Sequence, residues 1–439
     1  MKYTDFSRLL AERGNEVQGI HLGLHRITGV ISSLGNPHLA SPVLHIGGTN
    51  GKGSVAAMSD SILRHAGWKS GLYTSPHLVR LGERIRVNGC EIPPRRLAAV
   101  AEKVFQAESR LLRCGHIDRP LTYFEVLTAC AFCHFASERV DVAVVEVGLG
   151  GRLDATNVVQ PQVCVITGIS YDHQALLGRT LSEIASEKAG IIKPGVPVVS
   201  GCRPGPGRKV IREQARALGA PLWELDRDIR LNLSPAKGGR CIMDLQTPRR
   251  RYARLRPGLA GLHQARNAAL SVAAVEALKQ LPAGPRAIRA GLRRVEWPGR
   301  MDLYDARRAT LLDGAHNPEG ARVLKDFLER AGNREVYLVF GVLRDKEVSS
   351  LAGTLFPLAK EIHLARVRNS RGMDPDEIAS RLPRFRSRIR LHQDALDALR
   401  SAWERCPARG LVVVTGSLYL VGELIEAVRA ESPPSVRGR

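Results

Sequence analysis

The sequence predicts an α/β protein in which parallel strands are covered by helices, and three observations support that fold class. Short apolar runs alternate with helical patterns along the whole chain, as they do in folds where each strand is followed by a helix. A glycine-rich turn at residues 47–54 joins the first of these strands to the helix after it. The length of 439 residues exceeds one ordinary hydrophobic core, so we expect two domains.

The predicted strands are short runs rich in apolar and β-branched residues, and the predicted helices lie between them. The strands are Val43–Ile46, Asp141–Val147, Val163–Thr167, Val196–Ser200, Thr310–Leu312, Glu335–Phe340, Glu361–Ala365 and Leu411–Thr415. The helices are Pro94–Leu112, Leu181–Gly190, Arg208–Leu218, Leu262–Lys279, Glu319–Ala331 and Ala395–Glu404. Residues 224–257 break this alternation with short polar segments, which we interpret as β-hairpins or loops.

Two features near the C-terminal third suggest how the chain is divided. Pro298 and Gly299 end a helical pattern just before a new alternation begins, which is typical of a hinge. We therefore expect one domain over residues 1–296 and a smaller one over residues 297–439. The last segment, Glu431 to Arg439, contains two prolines and few apolar residues and is predicted to be disordered.

Composition limits the classes of function. The net charge of +22 suggests anionic ligands, but the arginines are scattered and aromatic residues make up only 5%, too few for a base-stacking surface. We therefore expect small anionic substrates and no nucleic acid. The chain has no run of about eighteen apolar residues and its N-terminus lacks the apolar core of a signal peptide. These features predict a cytoplasmic protein with no membrane partner, and we expect a monomer.

One cysteine pair suggests a metal site. Cys130 and Cys133 precede His134, but they lie inside a long apolar helical pattern, and no second cysteine pair stands at a suitable spacing. We interpret these cysteines as buried thiols of a core helix.

The turn at 47–54 predicts a binding site for a nucleoside triphosphate. A glycine-rich turn between a strand and a helix directs backbone N–H groups at a polyphosphate, and Lys52 adds positive charge. The helix that starts near Val55–Met58 is predicted to be amphipathic. The spacing departs from the common phosphate loop, because Gly47 comes one place late and Gly53 precedes Ser54. The usual serine ligand of Mg²⁺ is thus displaced, and other ligands are expected; the alternative is a turn that binds nothing.

Three polar residues beyond the loop are candidates for those ligands. Ser75 follows a short strand, Glu146 lies inside an apolar strand, and His173 closely follows the strand 163–167. A carboxylate in a buried strand is unfavourable unless it is paired or binds a cation. The carboxyl edge of an open α/β sheet is where ligands bind. Each residue also has a structural interpretation: a Ser-Pro turn, an internal ion pair and a core histidine.

Motifs along nearly the whole chain resemble those of the folylpolyglutamate synthase and dihydrofolate synthase family, a branch of the Mur ligase superfamily. They are GTNGKGS at 48–54, TSPHL with ERIRVNG, LTYFE at 121–125, EVGLGGRLDATN, EKAGIIKP, HQARN at 263–267, WPGR, DGAHNP at 313–318 and TGSLYLVGE at 415–423. The resemblance implies a P-loop, Mur-ligase-like central domain with a parallel sheet flanked by helices. It also implies a smaller Rossmann-like α/β C-terminal domain.

The resemblance implies an ATP-dependent ligase that phosphorylates a carboxylate and lets the amine of L-glutamate displace the phosphate. Members of the family add glutamate to dihydropteroate, to folates or to both, and the segment Thr122–Glu125 resembles enzymes that do both. The implied catalytic residues are Lys52, Lys188 and His316. The implied ATP contacts are Asn50, Gly51, Lys52, Gly53, Ser54, Asn267, Arg300 and Asp313.

The same resemblance implies the remaining sites. Mg²⁺, expected as two ions, would take Ser75, Glu146 and His173 as ligands, and Lys188 would carry a CO₂ carbamate that supports the second ion. The implied pterin or folate contacts are Leu22, Gly23, Thr122, Phe124, Leu153, Asp154 and Ala155. The implied glutamate contacts are His316 and Ser417.

Three alternatives are set against this prediction. A folylpolyglutamate synthase would only extend folates. A peptidoglycan-type ligase usually has an additional N-terminal domain, whereas the phosphate loop begins at residue 47 here. A non-catalytic nucleotide-binding regulator would leave Glu146, His173 and Lys188 without a role.

Overall fold

The computed structural model describes residues 1–14, 23–236, 239–330, 332 and 334–432. The chain forms two compact units. The first comprises Met1–Ser234, Ile242–Gly258 and Gln264–Val295; the second comprises Pro235–Cys241, Leu259–His263 and the chain from Glu296 onward. Two short segments before residue 296 therefore belong to the second unit, which a division at a single position cannot represent. Among the residues described, no helix is long and apolar enough to cross a membrane. Residues 433–439 of the predicted disordered tail lie outside the described residues.

The first unit is built on an eight-stranded sheet. Its strands are β1 Val43–Gly47, β2 Ser70–Tyr73, β3 Ile85–Val87, β4 Cys90–Glu91, β5 Val142–Glu146, β6 Val163–Ile166, β7 Val198–Ser200 and β8 Leu222–Glu224. Their spatial order is β4-β3-β2-β5-β1-β6-β7-β8. All neighbouring pairs from β2 to β8 are parallel, and β3 and β4 pair antiparallel at one edge. The four strands predicted in this part of the chain are confirmed, and β1 lies inside the sheet.

Helices cover this sheet. They are α1 Tyr3–Ala11, α2 His25–Ser33, α3 Lys52–His65, α4 Pro94–Arg113, α5 Tyr123–Glu138, α6 Gln174–Leu177, α7 Leu181–Ala189, α8 Pro206–Ala217, α9 Leu262–Ala277 and α10 Pro285–Arg294. Local sequence determines where some of them begin. The side chains of Thr122 and Thr180 each accept a hydrogen bond from the backbone N–H three residues later. The glutamate at that later position accepts one in return from the backbone N–H of the threonine. The four helices predicted here are confirmed within about two residues at each end.

The prediction that α3 is amphipathic is wrong. Every residue from Gly53 to Leu63 is buried. The face that would have met solvent is covered by α10 and α9: Ser61 Oγ donates to the Gly291 carbonyl at 2.8 Å, and Ser271 Oγ donates to the Val55 carbonyl at 3.2 Å. The serines and Asp60 of α3 suggest a solvent-exposed face in the sequence, but in the structure they are buried under other helices.

The segment at 224–257 contains the predicted hairpin. Strands β9 Arg230–Pro235, β10 Cys241–Gln246 and β11 Arg251–Leu255 form a separate sheet in the order β11-β10-β9. Strands β10 and β11 pair antiparallel, with a register shift between Met243 and Leu245.

The cysteine pair lies in a core helix. In α5, Cys130 is buried and Cys133 is half-buried. Burial raises the pKa of the Cys133 thiol to about 11, so at neutral pH it is a protonated, poor metal ligand. This agrees with the interpretation as core thiols.

The second unit has a six-stranded sheet with its own core. Its strands are β12 Asp302–Asp305, β13 Ala309–Leu312, β14 Val336–Phe340, β15 Ala359–Ala365, β16 Ile389–His392 and β17 Leu411–Thr415, in the order β12-β13-β17-β14-β15-β16. Only β12 is antiparallel to its neighbour. The helices are α11 Pro318–Arg330, α12 Val348–Leu355, α13 Pro375–Ser380, α14 Ala395–Arg405 and α15 Leu418–Ala430. The predicted Rossmann-like α/β arrangement is confirmed.

Candidate active site

The carboxyl ends of four neighbouring parallel strands meet at one edge of the first sheet. Ile46 of β1 pairs with Glu146 of β5, and Gly47 pairs with Ile166 of β6. Tyr73, the last residue of β2, pairs with Val145. The segments that follow these strands therefore start side by side, at the edge where open α/β sheets bind ligands.

Two glycines allow the phosphate loop after β1 to take its shape. Gly48 has φ +134°, and a Cβ there would lie 2.0 Å from Thr167 Oγ1. Gly51 has φ +86° and is the residue before α3, so Lys52 is the first residue of that helix. A side chain at either position would be strained. The loop therefore delivers the chain to the N-terminus of a helix, where unpaired N–H groups and the helix dipole favour an anion.

Carbonyl groups of the loop accept hydrogen bonds from Thr167 and from the loop's own Lys52. Thr167 Oγ1 donates to the Asn50 carbonyl at 2.7 Å, and Lys52 Nζ donates to the Thr49 carbonyl at 3.1 Å. Thr49 N–H in turn donates to the Gly168 carbonyl at 2.9 Å. Because these carbonyl oxygens are engaged in hydrogen bonds within the protein, they do not repel an anion bound by the loop.

Gln264 connects two of the predicted nucleotide contacts. Its Nε2 donates to Ser54 Oγ at 3.2 Å, and its Oε1 accepts a hydrogen bond from Asn267 Nδ2 at 3.0 Å. Asn267 also lies against the loop, since a Cβ on Gly51 would be 2.6 Å from its Oδ1. Ser54 and Asn267 were predicted from motifs, whereas Gln264 was not. Its place in the same HQARN motif was the available signal.

Lys188 is a buried lysine beside the loop. Its side chain comes from α7 and donates from Nζ to the Gly48 carbonyl at 3.0 Å. Burial, followed by the charge of Lys52, lowers the pKa of Lys188 to about 7, although Asp172 and Asp154 act in the opposite direction. A large fraction of its amine is therefore neutral near pH 7, and a neutral amine is a nucleophile.

The three predicted metal ligands follow or end three of these strands. Glu146 is 4% exposed, and its Oε2 accepts a hydrogen bond from the Ser75 N–H at 3.1 Å. His173 has φ +48°, and its Nε2 lies 3.7 Å from Asp172 Oδ1. Over the part of the chain that the structure describes, no group of three or more His, Cys, Asp or Glu residues is placed to hold a metal ion. The predicted set is of a different kind, because it combines one carboxylate and one imidazole with a serine.

The predicted pterin contacts lie around α5 and the segment after β5. The ring of Phe124 packs against Gly148, where a Cβ would be 2.5 Å from it, and lies 5.9 Å from the ring of Tyr73. Thr122 caps α5. Leu153 is half-buried, whereas Asp154 and Ala155 are buried. Gly23 precedes α2; the predicted contact Leu22 lies outside the described residues.

Asp154 is the charged member of that group. Its Oδ2 accepts a hydrogen bond from the Leu149 N–H at 2.9 Å, and its Oδ1 accepts one from the Thr156 N–H at 3.0 Å. Burial raises the pKa of its carboxyl, and these hydrogen bonds together with the charge of Lys52 oppose that effect. The carboxylate is thus fixed in position within electrostatic reach of the loop.

In the second unit, Asp313 and Ser417 follow the adjacent parallel strands β13 and β17. Asp313 accepts hydrogen bonds from the N–H groups of Met301 and Ala315, and burial raises the pKa of its carboxyl despite the charge of Arg300. These two bonds hold the carboxylate at the carboxyl edge of the second sheet.

A histidine and a serine also lie at this edge. His316 Nδ1 lies 2.8 Å from the Gly314 carbonyl, an acceptor, so Nδ1 carries the proton. Ser417 Oγ accepts the Tyr419 N–H and caps α15. His263, near the start of α9, has its pKa lowered to about 4 by burial and by the charge of Arg300.

Comparison with protein families assigns the chain to a class. Residues 46–275 match the Mur ligase middle domain, and residues 299–418 match the Mur ligase glutamate ligase domain. The two folds and the phosphate loop therefore define an ATP-dependent ligase of the Mur type.

Individual relatives narrow that class. The dihydrofolate synthase/folylpolyglutamate synthase of Bacillus subtilis is 35% identical over 418 residues, covering 92% of this chain and 95% of its own. The protein of the same name from Escherichia coli is 33% identical over 416 residues, covering 94% and 92%. The Mycobacterium tuberculosis folylpolyglutamate synthase complexed with ADP has a TM-score of 0.90 at 32% identity, covering 98% and 99%. E. coli FolC in complex with DHPP and ADP has a TM-score of 0.88 at 30% identity, covering 98% and 99%. The chain belongs to the dihydrofolate synthase/folylpolyglutamate synthase family, as predicted.

Proposed function

We propose that this chain joins L-glutamate to dihydropteroate and to the γ-carboxylate of folates, with ATP activating the carboxylate as an acyl phosphate. The observation that carries the proposal is the phosphate loop with Lys52, Lys188 and Glu146 at one sheet edge of a chain belonging to this family. The substrates are inferred from the names of the relatives, and the type of reaction is inferred from the residues of the site.

Transfer of a phosphoryl group to a carboxylate brings anions together, so the protein must supply positive charge and N–H donors. Residues 50–54 present the N-terminus of α3, and Lys52 lies at its first position. In the proposal these residues bind the phosphates of ATP. The further nucleotide contacts are Asn267 in the first unit and Arg300 and Asp313 in the second.

Ser75, Glu146 and His173 are the proposed ligands of Mg²⁺. A buried carboxylate at the end of a strand fits this role, because Mg²⁺ takes carboxylate oxygens as ligands. Mg²⁺ takes one or two carboxylates together with substrate phosphates and water, so a group of three acids is not needed. When bound, the ion neutralises charge on the phosphates.

We also propose that Lys188 carries a CO₂ carbamate. Its neutral amine attacks CO₂, a C–N bond forms, and one proton is released to solvent. The amine is buried, and its pKa of about 7 leaves the neutral form available. The product is an anion beside Lys52, and the charge of Lys52 stabilises it. The carbamate is a second negative group, beside which another Mg²⁺ would bind.

The other substrates are assigned to the remaining residues of the resemblance. The pterin lies against Leu22, Gly23, Thr122, Phe124 and Leu153–Ala155. Glutamate is held by His316, whose ring is oriented by its bond to the Gly314 carbonyl, and by Ser417. The proposed enzyme is a cytoplasmic monomer that acts on small molecules and has no nucleic-acid partner.

A pair of glutamate-incorporation assays tests the function. Purified protein is given ATP, Mg²⁺ and labelled L-glutamate with either dihydropteroate or tetrahydrofolate, and a Lys52→Met variant measures the background. The proposal predicts incorporation with both acceptors and one ADP released per glutamate joined. Incorporation with tetrahydrofolate but not with dihydropteroate would mean that the enzyme only extends folates. No incorporation with either acceptor would refute the proposal.

A further inference from the structure

A histidine occupies the interior of the central sheet, where an apolar residue would be expected. His45 lies in β1 between Val145 of β5 and Cys164 of β6, and it is fully buried. Burying a polar ring is unfavourable unless it is hydrogen-bonded. The hydrogen bond that His45 makes joins its Nε2 to Thr156 Oγ1 at 2.9 Å. This bond is the feature that a leucine or valine could not supply.

The direction of the hydrogen bonds in this cluster follows from the donors available. Thr156 Oγ1 also lies 2.5 Å from Asp154 Oδ1. An ionised carboxylate only accepts, and a hydroxyl has one proton, so Thr156 donates to Asp154. Its oxygen then accepts from His45, which must carry its proton on Nε2. His45 Nδ1 is buried and has no partner, so the opposite tautomer would leave an unpaired N–H in the core.

The charge states agree with this direction. Burial, followed by the charge of Lys193, lowers the pKa of His45 to about 3, so the ring is neutral near pH 7 and has one proton to donate. Asp154 accepts three hydrogen bonds from the protein: from the Leu149 N–H and from the N–H and hydroxyl of Thr156. A carboxylate has about four acceptor positions, so one remains for a substrate donor.

We propose that His45 and Thr156 are positioning residues that hold the carboxylate of Asp154 in the orientation in which it accepts a hydrogen bond from the pterin substrate. We name His45, Thr156 and Asp154 the relay. This inference rests on the proposed function, in which Asp154 contacts the pterin. Neither His45 nor Thr156 touches the substrate; they act by fixing one rotamer of Asp154.

Two substitutions remove the relay with little change of volume. Thr156→Val removes the hydroxyl, and His45→Leu removes the donor to it. Thr156→Val loses a hydrogen bond to a charged group, so its KM for dihydropteroate should rise about tenfold to a hundredfold. His45→Leu loses a bond between neutral groups, so that KM should rise about fivefold to tenfold. In both variants the KM for ATP and kcat should change less than about threefold. Because both act through one carboxylate, the double variant should resemble Thr156→Val rather than multiply the two effects.

Matched variants separate positioning from packing. Thr156→Ser keeps the hydroxyl and His45→Gln keeps a donor near the Nε2 position, so both should stay within about threefold of wild-type KM. Thr310 in the second unit is a buried threonine that donates to the Arg308 carbonyl and accepts from Trp403. Thr310→Val therefore measures the effect of removing a buried hydroxyl from a different sheet, and its KM for dihydropteroate should not change.

The wild-type protein provides a test that does not depend on activity. In ¹⁵N-histidine NMR, the His45 signal is assigned as the one that disappears in His45→Gln. In the wild type it should show a neutral ring with a proton on Nε2 and none on Nδ1. A proton on Nδ1, a KM unchanged in Thr156→Val, or multiplied effects in the double variant would each overturn the relay. If the wild type incorporates no glutamate, the proposed function fails instead, and the NMR result still decides whether the hydrogen-bonded chain exists.

Discussion

Replacing Lys188 by methionine should abolish ligase activity and at the same time make the protein more stable. The side chain is 4% exposed, and its pKa falls from 10.5 to about 7, chiefly because burial disfavours the charged form. At about 1.36 kcal/mol per pH unit, a lysine with these two values lowers the free energy of unfolding by about 4 kcal/mol at pH 7. Losing its bond to the Gly48 carbonyl offsets about 1 kcal/mol of that. The net gain for Lys188→Met is therefore about 3 kcal/mol.

The sign of the pH dependence follows from proton binding. Between pH 7 and 10.5 the unfolded chain holds a proton on this lysine that the folded chain has lost, so the wild type gains stability as pH rises. The advantage of Lys188→Met should thus shrink by about 2 kcal/mol between pH 7 and pH 9. It should be constant well below pH 7, where both states of the wild type are protonated.

Urea unfolding followed by circular dichroism in CO₂-free buffer at pH 7 and pH 9 measures both quantities. Lys209, whose side chain is 77% exposed, provides the control: Lys209→Met should change the free energy of unfolding by less than about 0.5 kcal/mol at either pH. A Lys188→Met protein that is less stable than wild type, or whose advantage does not change with pH, would refute the argument that burial makes this amine neutral.

Three further outcomes are expected. Glu146→Gln should lower kcat by orders of magnitude while leaving the thermal transition in place, because it removes the charge of a proposed Mg²⁺ ligand; wild-type turnover would exclude Glu146 from the proposed metal site. Lys188→Ala should be inactive and partly rescued by acetate, because a free carboxylate can occupy the place of the proposed carbamate, and a fully active Lys188→Arg would contradict that. Gly51→Ala should raise the KM for ATP at least tenfold, because φ is +86° and the new Cβ would lie 2.6 Å from Asn267 Oδ1. Gly35→Ala, at φ +83° with nothing within 4 Å, carries the same strain without the contact and should leave that KM unchanged, as activity assays with varied ATP would show.

Local sequence predicted which segments form the elements and where several of them begin. The apolar run before Gly47 forms β1 as predicted, because this signal depends on residues near in sequence. The Thr-x-x-Glu patterns at Thr122 and Thr180 form capping boxes; they are equally local signals, although the prediction did not use them. The spatial order of the strands in the sheet could not be predicted from such local signals. Strand β1 lies between β5 and β6, and pairing between distant segments depends on how whole helices pack on the sheet.

The candidate site also contains some residues that local motifs predicted and others that they did not. Lys52, Ser54 and Asn267 were identified from motifs, whereas the bond of Gln264 to Ser54 was not, because it joins α9 to α3 across 210 residues. The wrong prediction for α3 has a similar cause. Its serines suggest a solvent-exposed face, but α9 and α10 cover that face and accept or donate its hydrogen bonds.

By itself, the sequence determined the α/β class, the phosphate loop and the family, because these depend on patterns within short segments. The tertiary structure alone decided the chemical state of the groups placed there. Lys188 has an ordinary lysine side chain, and its pKa is lowered to about 7 only because folding buries it beside Lys52 and against a carbonyl 140 residues away in the chain. Desolvation and neighbouring charge determine a pKa, and both depend on which distant segments folding brings together.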